Sequence, residues 1–183
     1  MASIRGALGL LFFMTAALVY GQTNLPSPAL PRSGHTLTQQ EQRVLEGWLS
    51  RHLQYRVAKD EDCACPDDIK QIRTGSGGVW KAVADYHPYV ATGDFNGDGQ
   101  EDFAAAVVER SKDQNNFALL VFNGPFKSET ASPSFIKEGL DLMYRGLFYG
   151  PPRPKPYRLV VGRFESDTGS VLVPDGRSYR LDE

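Results

Sequence analysis

The chain has 183 residues, 41% of them hydrophobic, and 20 Lys and Arg against 22 Asp and Glu give a formal charge of -2. That length suits one domain with a respectable core and is short for two. The slight acidity speaks against nucleic acid and anionic membrane surfaces as partners, because both recruit strongly basic faces.

Residues 1–21 carry a lone Arg5, an apolar run from Ala7 to Val19, and then Tyr20-Gly21. The run is too short to span a bilayer and has the layout of a secretory signal peptide. Cleavage is expected after Gly21, with Ala17 as the alternative, and the loss of Arg5 takes the charge from -2 to -3. No cysteine stands at the junction, which argues against a lipoprotein anchor, and the expected address is secreted or periplasmic. Residues 22–36, rich in proline and small polar residues, read as a linker.

Thr38-Gln39-Gln40-Glu41 has the form of a capping box, and Val44, Leu45, Trp48, Leu49, His52 and Leu53 recur at three- and four-residue steps. This predicts an amphipathic helix over 39–57 whose apolar stripe covers a sheet, with His52 packed at its edge. Cys63 and Cys65 are the only cysteines. Three readings stand open for them: a local disulfide, pairing with a partner chain, or a metal site using Asp62, Cys63, Cys65 and a distant histidine. Pro66 to Arg73 fits a short second helix, with proline in the first turn, acids near its start and basic residues near its end. Gly75 to Gly78 ends it.

Beyond that point the period changes. Tyr89–Thr92, Asp102–Glu109 and Phe117–Phe122 read as successive antiparallel strands, with a polar turn at 112–116. Between the first two lies Gly93-Asp94-Phe95-Asn96-Gly97-Asp98-Gly99-Gln100-Glu101-Asp102. Counting Asp94 as the first position, Asn96 is third, Asp98 fifth, the Gln100 carbonyl seventh and Asp102 ninth, which is the order of oxygen ligands that a wrapping backbone offers to calcium. Gly99, at the sixth position, permits the sharp turn. Glu101 falls off the ligand series and is expected in solvent. The crowded carboxylates predict a loop that is strained, mobile or partly protonated without a cation. A helix-loop-helix calcium hand closes with a bidentate Glu at the twelfth position; here that position is Ala105, which speaks against this class and the dockerin loop alike.

The pattern Asp-x-Asn-x-Asp-Gly-x-x-Asp, set between a preceding glycine with its aliphatic strand and a following apolar strand, resembles the FG-GAP family and its related VCBS repeats over about residues 88–123. The resemblance implies calcium held by Asp94, Asn96, Asp98, Gln100 and Asp102. It occurs once, whereas a propeller needs at least about four blades of some forty residues, so the loop and its hairpin are implied without the propeller.

Further on, Pro125 to Lys137 is turn-like, and Phe135–Met143 reads as a short helix or irregular crossing. Leu147–Tyr149, Tyr157–Arg163 and Val171–Val173 are strand candidates, joined in part by a stiff proline run at 150–156. Pro174-Asp175-Gly176-Arg177 is a turn signal, and Ser178–Leu181 closes a last hairpin. Helices first and strands afterwards predict an α+β domain in which one helix packs on a mostly antiparallel sheet, with the loop at one end of that sheet. No Gly-x-Ser-x-Gly or His-Glu-x-x-His occurs, and His87, near Asp85, is the least implausible base among His35, His52 and His87. The expected function is an exported calcium-binding module that meets a protein or glycan partner. An inhibitor or envelope-interaction protein is the alternative, and a metal-dependent hydrolase comes behind both.

Overall fold

The computed structural model describes residues 34–76, 81–150, 155–164, 166 and 168–182. The signal-peptide segment, most of the linker at 22–36 and most of the proline run at 150–156 lie outside them. The described residues form two antiparallel sheets and two α-helices. The first helix, α1 (Gln39–Leu49), starts as expected: the Thr38 hydroxyl accepts from the Glu41 N–H at 3.2 Å while the Thr38 N–H donates to Glu41 Oε2 at 2.6 Å. Each half of this exchange satisfies a donor that the first turn would leave orphaned.

The helix stops eight residues earlier than 57. The Ser50 N–H and hydroxyl bond back to the Glu46 and Gly47 carbonyls, and His52 folds over Trp48 with ring centroids 4.0 Å apart. Leu53, which continued the apolar period, is 78% exposed. The next residues form β1 (Tyr55–Val57), and a 3₁₀ turn at Asp60–Cys63 leads to α2 (Pro66–Thr74), which ends on Gly75 with φ of 67°. A left-handed residue at that place closes a helix with least strain when it has no Cβ.

The first sheet contains β1, β2 (Val90–Gly93), β3 (Asp102–Glu109), β4 (Phe117–Phe122) and β5 (Phe135–Leu140). Its order is β1-β3-β4-β5, with β2 sharing the β1 edge of β3. The second sheet is a meander of β6 (Arg145–Phe148), β7 (Leu159–Arg163), β8 (Gly169–Asp175) and β9 (Ser178–Asp182). Two corrections follow. Residues 135–140 are a strand, not a helix or crossing, and the late strands form a sheet of their own rather than extending the first.

The second correction has a cause in β3 and β4, which are buried on both faces. Successive strand residues point to opposite sides. Phe103, Ala105 and Val107, with Ala118, Leu120 and Phe122, join Val44, Leu45 and Trp48 of α1 in one apolar cluster. Ala104, Ala106 and Val108, with Phe117, Leu119 and Val121, join Ile69 and Ile72 of α2 and Leu147, Leu159, Val161 and Leu172 of the second sheet in another. A sheet that is apolar on both sides needs cover on both sides. Burying a side chain of this size contributes roughly 2 kcal/mol, so the two clusters supply most of what holds the layers together. The alanines at 104–106 leave room for the neighbouring layers to close on β3.

Candidate metal centre

The loop from Asp94 to Glu101 joins β2 to β3 and begins and ends on a paired position, Gly93 opposite Asp102. Its shape is set by side-chain oxygens turned onto its own backbone. Asp94 Oδ1 accepts from the N–H groups of Gly97 at 2.7 Å and Asp98 at 3.0 Å, and Asp94 Oδ2 accepts from Gly99 at 3.0 Å. Asn96 Oδ1 accepts from Asp98 at 2.9 Å, and Asp98 Oδ1 accepts from Gln100 at 2.8 Å. Four successive amides thus point inward at acidic and amide oxygens, which is how Asx turns wrap a chain. Gly97 and Gly99 both have φ of 82° with open space where a Cβ would stand, so backbone conformation alone calls for glycine there.

Asp102 behaves differently from the rest. It is fully buried; Oδ2 accepts from the Phe95 N–H at 2.9 Å and, at 3.4 Å, from Asn96, while Oδ1 accepts from the Gly124 N–H at 3.0 Å. Burial pushes its carboxyl up to about 6, against the pull of these backbone donors. Asp94 and Asn96 are half-buried, and Asp98 and Gln100 are exposed. Glu101, expected in solvent, is half-buried.

The five predicted residues therefore share one loop, and the donor set is all oxygen, which suits a hard cation. Asp94 Oδ2, Asn96 Oδ1, both Asp98 carboxylate oxygens and Asp102 Oδ1 each accept one hydrogen bond and keep a further lone pair for an ion, whereas Asp94 Oδ1 and Asp102 Oδ2 accept more than one. Among the described residues none of Asp94, Asp98 and Asp102 forms an ion pair with a lysine, arginine or histidine. Nor, among those residues, do three His, Cys, Asp or Glu side chains converge as a ready metal cluster. The side-chain oxygens are turned onto the loop's own amides instead.

Two residues that the sequence did not single out touch the loop from the second sheet. The Tyr149 hydroxyl donates to the Asp94 carbonyl at 2.6 Å. The Tyr179 hydroxyl donates to Asn123 Oδ1 at 2.7 Å and lies 3.5 Å from Asp102 Oδ2. Burial raises the titration range of both phenols, so they act as neutral donors. Their positions, 55 and 77 residues from their loop partners, carry no local signal.

The other candidates resolve plainly. Cys63 and Cys65 form the local disulfide. Asp62 is engaged by the Arg56 guanidinium at 2.6 and 2.7 Å, which lowers its titration range, so the cysteine-based metal set is not assembled. His87 faces Asp60, with Nδ1 3.2 Å from Oδ1, rather than Asp85, which instead accepts from Thr36 at 3.4 Å. Arg73 bonds the other Asp60 oxygen at 2.5 Å. Among the described residues no serine, threonine or cysteine bonds to the His87 ring, so a nucleophile activated by that base is missing there. No family model, curated protein or solved structure matches the chain. The likeness to the FG-GAP family accordingly rests on the loop and its flanking strands over about residues 88–123.

Proposed function

We propose that this is an exported calcium-binding module, secreted or periplasmic, whose loop between β2 and β3 holds a structural ion and whose sheets carry a surface for a protein or glycan partner. One observation carries the reading. Asp94, Asn96, Asp98 and Asp102 lie within residues 94–102, a stretch that offers oxygen ligands and whose three Asp carboxylates have no cationic partner among the described residues. Bound there, calcium would supply the positive charge that offsets them, with the Gln100 carbonyl as a further ligand. Asp94, Asn96 and Asp98 come from the turning part of the loop. Asp102 comes from the start of β3 and ties the site to the core.

A site of the extracellular kind has a dissociation constant of about 0.1 to 1 mM, adequate where calcium is millimolar. The ion's role is to fix the β2–β3 connection. Asp98→Ala tests the assignment, because Asp98 is exposed and its loss leaves both apolar clusters intact. Calorimetric titration should show calcium binding to the parent and none to Asp98→Ala, with the variant's circular dichroism unchanged. Equal binding by the two proteins would remove Asp98 from the site.

A further inference from the structure

We infer that Tyr149 and Tyr179, both outside the ligand series, are positioning residues for the loop's cation, so that calcium binding is coupled to the docking of the second sheet. The inference rests on the calcium reading of the loop. The two phenols reach the two ends of the ligand series. Tyr149 follows β6, and its hydroxyl donates to the carbonyl of Asp94, the first ligand position, while its ring stands edge-on to Phe95 with centroids 5.0 Å apart. A Cβ on Gly93 would fall inside that ring, so the glycine before the loop is what lets the aromatic close on it. Tyr179, in β9 and 5% exposed, holds the Asn123 side chain through its hydroxyl. The next residue, Gly124, supplies the N–H that bonds Asp102 Oδ1.

The first and ninth ligand positions thus lean on groups carried by the second sheet, while the amides of Gly97 to Gln100 are bonded to side chains of the loop itself. Groups that orient ligands without touching the ion set the geometry at which those ligands are presented, and their loss costs about 10- to 100-fold in metal affinity. The Tyr149 hydroxyl fixes the backbone from which Asp94 projects. The Tyr179 hydroxyl fixes the amide that aims Asp102. By reciprocity, whatever the second sheet contributes to calcium affinity, calcium returns to the packing of that sheet.

The test is calorimetric titration of calcium into the parent, Tyr149→Phe, Tyr179→Phe and, as control, Tyr144→Phe, whose half-exposed side chain lines a cleft with Ala64, Cys65 and Phe164 rather than the loop. Melts in chelator and in calcium accompany each titration, and amide hydrogen exchange on the parent is followed with and without calcium. About tenfold weaker binding by Tyr149→Phe and Tyr179→Phe, parent-like binding by Tyr144→Phe, and slower exchange of residues 145–148 and 178–182 in calcium support the coupling. A purely structural role lowers melting temperature equally in chelator and calcium and leaves affinity unchanged; that result overturns it, as does exchange in the second sheet that ignores calcium. A parent that does not bind calcium overturns the inference together with the reading beneath it.

Discussion

The two connections at the ends of β3 treat charge in opposite ways. At its far end, the turn between Glu109 and Phe117 neutralises its own acid: the Lys112 ammonium sits 2.6 Å from Glu109 Oε2, and Asn116 Nδ2 donates back to the Lys112 carbonyl at 3.1 Å. At its near end, Asp94, Asp98 and Asp102 share one connection with no ion pair among the described residues, and the middle of that loop holds its shape with side-chain oxygens on backbone amides. The first connection is complete as a turn. The second carries negative charge that its own chain does not balance, and the second sheet reaches over to hold it. The difference separates a loop that merely reverses the chain from one arranged to receive something.

Asp102→Ala should break the contrast most severely. It strands the buried Phe95 N–H and leaves the half-buried Gly124 N–H without its carboxylate, and about 3 kcal/mol of stability should be lost in urea unfolding with chelator present. A change near zero would mean that those bonds do not hold the loop. Gly93→Ala comes next, because the new methyl must displace the Tyr149 ring; about 2 kcal/mol should be lost, and Tyr149→Ala in the same chain should restore part of it.

Gly99→Ala sharpens the contrast by isolating backbone strain. Its φ of 82° meets open space, so about 1 kcal/mol should go to the left-handed backbone alone, and no second-site change in the core should rescue it. The smallest effect belongs to Lys112→Ala in the balanced turn. The Lys112 hydrogen bond holds the Glu109 carboxyl below its usual range. A depressed carboxyl contributes at neutral pH and loses that contribution as pH falls through its folded value. Melts of Lys112→Ala and parent should therefore differ slightly near neutral pH and converge once the pH has fallen below the lowered folded value of the Glu109 carboxyl.

How much of this was legible in the sequence depended on whether the cause was local. Thr38 and Glu41 announced the helix start because a capping box is complete within four residues, and the Asp94–Asp102 spacing announced the loop for the same reason. The far end of α1 was misread because His52 and Leu53 keep the apolar period, whereas what ends the helix is the pairing of Tyr55–Val57 with Val107–Glu109 of β3. Strand β5 was misread because its burial comes only from its ends; residues 136–139 are exposed, and its conformation is set by pairing with β4. The second sheet was foreshadowed in Phe103-Ala104-Ala105-Ala106-Val107-Val108, since a run apolar at every position needs cover on both faces. Tyr149 and Tyr179 could not be read as loop residues, because only the packing of the two sheets brings them there.

The central claim is that the Asp94–Asp102 loop takes calcium, and a thermal melt of the purified protein in chelator, then across a calcium series with magnesium as control, tests it most directly. With a dissociation constant of about 0.1 to 1 mM, 10 mM calcium should stabilise by about 1.4 to 2.7 kcal/mol and raise the melting temperature by about 3 to 10 °C. Magnesium, which demands a tighter octahedral shell, should do little. A melting temperature that ignores calcium, or rises equally with magnesium, would contradict the account and leave the loop a turn held by its own amides.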